Sequence, residues 1–174
     1  LPPQLSSPAT VYIALGSNQG DSRTLFRQTF KCLAALSIDP PSASSLWETT
    51  PVDCPPGSPL FLNAVVRIRC WSTPEQLLQQ LQALERDMGR RPKTLMNEPR
   101  PIDLDIITFG DEIRNSPTLI LPHPRAVIRR FVLEPLCELA PDLVLPSQTR
   151  TVQQLLRSLP PVQEACRLDE VWNR

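Results

Sequence analysis

Asp103 and Asp105 stand two residues apart in IDLDII, a run that is otherwise apolar. If that run is a strand, both carboxylates leave the same face with their Cα atoms about 6.6 Å apart. Such a pair can converge on divalent metal. Hard cations such as Mg²⁺ take carboxylate and phosphate oxygens, and two metals about 3.5 to 4 Å apart can bridge the phosphates of a nucleotide. A bare Asp-x-Asp is otherwise a solvated strand face, so its neighbours carry the argument. Arg100 lies three residues ahead of the first aspartate, and half of the sixteen arginines fall between positions 85 and 130: Arg86, Arg90, Arg91, Arg100, Arg114, Arg125, Arg129 and Arg130. Arginine outnumbers lysine sixteen to two, which suits planar, bidentate binding of phosphate oxygens. The same segment holds nine basic residues against seven acidic ones, a mixed-charge region consistent with a metal and phosphate site and not with a basic groove for nucleic acid. Some of these arginines serve surface ion pairs, with Arg86 and Arg114 the first candidates. His123, the only histidine, sits between two prolines in LPHPR. No Ser or Cys motif accompanies it, so a nucleophilic triad has no support. It reads as a hydrogen-bond donor to phosphate or as a structural histidine.

Elements must place these groups together. VYIALG, residues 11–16, reads as a buried strand ending in a turn, and Asp21 or Ser22 can cap the helix in which Leu25, Phe26, Thr29, Phe30, Leu33 and Ala34 recur at helical spacing. Residues 42–50 are a weaker strand, running into the proline-rich loop PVDCPPGSP. FLNAVVRIRC, residues 61–70, alternates: Leu62, Ala64, Val66, Ile68 and Cys70 form a core face, with Phe61 and Asn63 on the other. Thr73, Pro74 and Gln76 make a capping-box start to a helix that carries Leu77, Leu81, Leu84 and Met88 up to Gly89. A loop over 90–100 then leads into the strand at 102–107. The order βαββαβ predicts an α+β, ferredoxin-like antiparallel sheet with both helices on one face, followed by a C-terminal extension containing a helix over 152–159.

A length of 174 residues suits one core. Residues 1–10 are expected to be a disordered leader and 11–174 a single domain. Eighteen basic residues balance eighteen acidic ones, so the molecule as a whole attracts neither a nucleic-acid backbone nor an anionic membrane. The five cysteines are odd in number and form no Cys-x-x-Cys pair, which fits reduced thiols in the cytoplasm. No stretch approaches the roughly 20 apolar residues of a membrane-spanning helix, and LPPQLSSPAT lacks the basic and apolar parts of a signal peptide. Nothing marks a subunit interface, so a monomer is expected.

ALGSN at 14–18, TTPV at 49–52, FLNAVV at 61–66, LERDMGR at 84–90, PRPIDLDII at 99–107 and LPHPRAVIRRFVLEPL at 121–136 together strongly resemble the 6-hydroxymethyl-7,8-dihydropterin pyrophosphokinases, over roughly residues 11 to 146. The resemblance implies transfer of a diphosphate from ATP to the pterin hydroxymethyl group in folate biosynthesis, with AMP released. It implies that Asp103 and Asp105 bind two Mg²⁺ ions and that Arg100 sits beside the transferred group. The pterin would lie between Phe61 and Phe131, with Asn63 and the backbone of Thr50, Pro51 and Val52 bonding its edges. Gln82, Glu85, Ile106, His123 and Arg129 would hold ATP, and Arg90 would act at the start of a mobile lid.

The chain departs from the family pattern at Met96 and Glu98, where small or basic residues are usual, and at Pro92, where another arginine is common. Ile120 and Pro124 replace polar or aromatic contacts of some members. A non-catalytic ferredoxin-like module would explain the elements equally well, yet gives no reason for the aspartate pair, the arginine and the proline-framed histidine to coincide. A member that binds ATP without turnover, or a transferase acting on another flat heterocycle, are the remaining alternatives.

Overall fold

The structure, a computed structural model, describes residues 4–51, 54–92, 99–161 and 164–174. Val52 and the Lys93, Met96 and Glu98 positions lie outside the described residues. Strand β1 (Ala9–Ser17) is followed by helix α1 (Ser22–Leu36), the short strands β2 (Ser42–Ala43) and β3 (Trp47–Thr49), the long strand β4 (Phe61–Cys70), helix α2 (Pro74–Asp87) and strand β5 (Asp103–Phe109). Strands β6 (Arg114–Asn115) and β7 (Ile120–Leu121) form a small ribbon, and helices α3 (Arg130–Leu139) and α4 (Val152–Ser158) precede strand β8 (Ala165–Arg167).

The main sheet runs β5-β1-β4-β3-β8 and its pairings are antiparallel. Its first four strands have the order of the ferredoxin-like unit. Val11, Ile13 and Leu15 of β1 and Leu62, Ala64, Val66 and Ile68 of β4 pack against Phe26 and Leu33 of α1 and Leu77 and Leu81 of α2. The alternation of β4 thus gives the core face that the sequence predicts. The opposite face carries Tyr12, Val65 and Ile107, covered by Val132, Leu133 and Leu136 of α3 and Val152 and Leu155 of α4. The C-terminal extension therefore closes the second side of the sheet.

Local signals account for the helix starts. Asp21 accepts the Thr24 N–H at the N-cap of α1, and Thr73 and Gln76 form the reciprocal capping box of α2 with Pro74 in its first turn. Three details differ from the sequence reading. Strand β1 begins at Ala9, and Leu5 packs against the core with its N–H 3.4 Å from Trp71 O, so ordered chain extends into the expected leader. The strand expected over 42–50 is broken in two at residues 44–46. The third is β8, which pairs Trp47–Thr49 on the side away from β4 and which no periodicity announces in three residues.

Candidate active site

The register of three strands builds the site. On the face covered by α3, Asp103 pairs with Gly16, and Gly16 with Asn63; one step along, Asp105 pairs with Ala14 and Ala14 with Val65. With strands about 4.8 Å apart, the Asp103 and Asn63 positions lie about 10 Å apart across the sheet. The residues between them are small, which leaves a cavity of about 310 Å³. Its walls include Phe61, Phe131, Thr49, Arg100, Asp105 and Arg129. A Cβ at Gly16 would lie 3.4 Å from Asn63 Oδ1, so any longer side chain there would intrude on the space beside the amide.

At one end the cavity is walled by the Phe61 and Phe131 rings, with Asn63 as its buried amide. Asn63 is 4% exposed, and its Nδ2 donates to Thr49 Oγ1 at 2.6 Å, which fixes which way the amide points. The guanidinium carbon of Arg100 lies 6.0 Å from the Phe61 ring centre and that of Arg129 lies 5.4 Å from the Phe131 ring centre, both within cation–π range. Thr50 also lines the cavity, although its N–H is taken by Glu164 O at 3.3 Å. Pro51 is half-buried beside it and not part of the wall.

The other end is charged. Arg90 Nη1 lies 2.6 Å from both Asp103 Oδ1 and Glu85 Oε1, and Arg100 Nη1 is 3.7 Å from Asp103 Oδ2. Glu85 is buried behind this pair, and its Oε1 also accepts the Leu104 N–H at 2.7 Å. Burial pushes the Glu85 carboxyl up to about 7. Desolvation, and then the charge of Asp103, push Asp105 above the ordinary carboxylate range. Arg129 is lowered by burial and by Arg125. Two crowded carboxylates favour a shared cation, and a desolvated arginine favours an anion.

His123 is placed by a fault in the sheet. Tyr12 pairs with Thr108 but Ile13 with Ile106, so Ile107 is an extra, bulged residue. Its carbonyl accepts the His123 N–H at 2.8 Å. The Arg125 N–H donates to His123 Nδ1 at 3.2 Å, which leaves the proton on Nε2, 4.0 Å from Asp105 Oδ2. Burial, with Arg129 and Arg125, lowers His123 to about 4, so the ring is neutral at pH 7.

The predicted residues thus fall into groups. Phe61, Asn63, Phe131, Thr50, Arg100, Asp103, Asp105 and Arg129 surround one cavity; Arg90 and Glu85 support Asp103 from behind, and His123 flanks Asp105. Gln82 is exposed on α2 and Ile106 packs in the core, both away from the cavity wall. Arg114 is the surface residue it was expected to be, paired with Glu75 at 2.7 Å and with Glu112. Sequence reasoning missed Thr49, Ala14, Gly16 and Arg125 as cavity residues; strand pairing exposes the first three, because Gly16 pairs with Asn63, Ala14 with Asp105 and Thr49 with Phe61.

The residues present fit Mg²⁺. The two aspartate side chains are 24% and 42% exposed, and among the described residues no group of three His, Cys, Asp or Glu side chains forms a metal cage. Magnesium is commonly held by one or two carboxylates, with phosphate and water oxygens completing its shell.

A family model described as 7,8-dihydro-6-hydroxymethylpterin-pyrophosphokinase matches residues 12–141. The 2-amino-4-hydroxy-6-hydroxymethyldihydropteridine pyrophosphokinase of Pseudomonas aeruginosa is 37% identical over 151 residues, covering 86% of this chain and 91% of that protein. The protein of the same name from Bacillus subtilis is 41% identical over 131 residues, 74% of this chain and 76% of its own. The folic acid synthesis protein fol1 of Pneumocystis carinii is 41% identical over 136 residues, 78% of this chain and 18% of that protein. This chain spans about a fifth of the length of the fungal relatives it matches. A crystal structure of Plasmodium falciparum HPPK-DHPS with SDX-DHP has a TM-score of 0.68, with 86% of this chain and 45% of that chain covered at 14% identity, a likeness of fold. The family match runs from β1 to the end of α3 and takes in the whole cavity, and on that ground the chain belongs to the 7,8-dihydro-6-hydroxymethylpterin-pyrophosphokinase family.

Proposed function

We propose that this chain transfers a diphosphate from ATP to the hydroxymethyl group of 6-hydroxymethyl-7,8-dihydropterin in folate synthesis, releasing AMP. The observation that carries the reading is the cross-strand row Asp103, Gly16, Asn63. It sets a metal-capable carboxylate about 10 Å from a buried, oriented amide, room enough for a pterin ring with its hydroxymethyl arm reaching the phosphates.

In this reading Phe61 and Phe131 hold the ring by its faces while Asn63 reads its polar edge. Asp103 and Asp105 would hold two Mg²⁺ ions, which when bound neutralise phosphate oxygens. Arg100 and Arg129 bind phosphate oxygens from the cavity wall, and the Nε2–H of His123 donates to another. ATP would extend along the edge of β5 away from β1, towards Gln82 and the backbone of Ile106. Arg90 supports Asp103 from behind, and Thr50 borders the pterin from the cavity wall. The pterin hydroxymethyl oxygen attacks the β-phosphorus, the bond from that phosphorus to the α,β-bridging oxygen breaks, and AMP leaves with that oxygen. The hydroxyl proton passes to water. Positioning and charge do most of this work, in keeping with a site that lacks a nucleophile.

A monomer in the cytoplasm is part of the same proposal; Cys32, Cys70, Cys137 and Cys166 form no disulfide, and no helix among the described residues is long and apolar enough to cross a membrane. Incubation with ATP, Mg²⁺ and the pterin should yield AMP and pterin diphosphate in equal amounts. Formation of ADP, or pterin binding with no nucleotide consumed, would refute the transfer.

A further inference from the structure

We infer that Asn18 is the positioning residue for Arg100, its side-chain amide acting as the last rung between β1 and the chain entering β5; the inference deepens, and rests on, the reading of Arg100 given above. Pairing of β1 with β5 stops at Gly16 and Asp103, so Arg100, three residues before β5, has no strand partner. Asn18 supplies one. Its N–H donates to Arg100 O at 3.2 Å, and its Oδ1 accepts the Arg100 N–H at 3.0 Å. The pair reproduces the two-bond exchange of a hydrogen-bonded antiparallel pair, with a side-chain carbonyl standing where a main-chain one would be.

The sequence makes this clamp necessary. Arg100 lies between Pro99 and Pro101, neither of which has an N–H. Its own N–H is therefore the only main-chain donor in that tripeptide, and Asn18 takes it. Among the described residues nothing further along the arginine fixes it as firmly. Arg100 Nε is buried without a hydrogen-bond partner among the described residues, and the guanidinium approaches Asp103 only to 3.7 Å and the Phe61 ring centre only to 6.0 Å. The place from which this side chain reaches the cavity is thus set at the main chain.

Asn18 itself is 7% exposed, and its Nδ2 is buried with no partner among the described residues. Burying an amide donor unpaired is unfavourable, so the residue is retained for its acceptor. Aspartate offers the same acceptor at the same reach; alanine offers none.

The test compares wild type, Asn18→Ala and Asn18→Asp by steady-state kinetics and by hydrogen exchange at the Arg100 amide. Asn18→Ala should lower kcat about 30- to 100-fold, as small misplacements of a catalytic group do, while KM for the pterin changes less than about 3-fold. It should also lose protection at the Arg100 amide. Asn18→Asp should keep that protection and stay within about 5-fold of wild type. The inference is overturned if Asn18→Ala loses Arg100 protection without loss of kcat, or if Asn18→Asp is as impaired as Asn18→Ala. Should Asn18→Ala not fold, Asn18→Asp decides alone, and loss of Arg100 protection or a fall in kcat beyond about 30-fold in that variant overturns the inference. Wild type making no AMP would sink the reaction proposed above, and exchange at Arg100 would still judge the clamp.

Discussion

Arg90 holds its Nη1 2.6 Å from Asp103 Oδ1, so a fixed positive charge stands against the carboxylate that is proposed to meet metal. The same nitrogen is 2.6 Å from Glu85 Oε1, and the arginine side chain is only 19% exposed. Metal reaching Asp103 must compete with this contact. Arg90→Met keeps the apolar stem and removes the charge. Titration calorimetry of the nucleotide-free protein with Mn²⁺ should show affinity about 3- to 10-fold tighter than wild type, because a repelling, competing cation is gone. Turnover should fall nonetheless. Unchanged or weaker Mn²⁺ binding would contradict the competition.

Thr49 orients the pterin reader. It is buried, and its hydroxyl accepts from Asn63 Nδ2 at 2.6 Å. In Thr49→Val the amide donor loses its partner and the orientation of Asn63 is no longer fixed. Pterin affinity, followed by fluorescence titration, should weaken about 10-fold, the scale of one buried hydrogen bond. Affinity for ATP should change little, and equal loss of both would point to general damage.

His123 gives the stability a pH dependence of known sign. Its folded pKa is lowered from 6.5 to about 4, so between those values the unfolded chain carries a proton that the native chain does not. The histidine's contribution is whole above about 6.5 and is lost as pH falls towards 4. Glu85 and Asp105, both raised, act in the opposite sense, so the comparison is between two proteins. Between pH 7 and 4, wild type should lose about 2–3 kcal/mol more than His123→Asn, measured by urea unfolding. Parallel pH profiles would show that the imidazole is not held neutral by the fold.

Much of the scaffold was legible because its signals are local. Thr73 and Gln76 announce the start of α2, and the alternation in 61–70 assigns Leu62 to the core and Asn63 to the opposite face without any tertiary knowledge. Asp103 and Asp105 were recognisable through their spacing and through the motif around them. What escaped depends on partners distant in sequence. The Ile107 bulge that anchors His123 exists only against Tyr12 and Ile13, and Thr49 becomes a site residue only through Asn63. The small β8 needs β3 as a template. The family resemblance singles out Glu85 as a residue that holds ATP, and only the fold shows it buried against Arg90 and the Leu104 N–H.

The capping box of α2 separates stability from chemistry. Thr73 accepts the Gln76 N–H at 3.3 Å, and Gln76 accepts the Thr73 N–H at 2.9 Å, on the side of the helix start away from the cavity residues. Thr73→Ala should cost about 1 kcal/mol in denaturant unfolding and leave kcat within about 2-fold of wild type. A large loss of activity at unchanged stability would mean that α2 takes part in the chemistry in some other way.

The fate of each phosphate reports the transfer most directly. ATP labelled separately at the α, β and γ positions is incubated with Mg²⁺, the pterin, and wild type or Asp105→Ala. The β and γ label should travel together to the pterin while the α label stays with AMP, and Asp105→Ala should slow transfer by orders of magnitude while remaining folded. Transfer of γ label alone, or label transfer undiminished in Asp105→Ala, would contradict the proposed reaction.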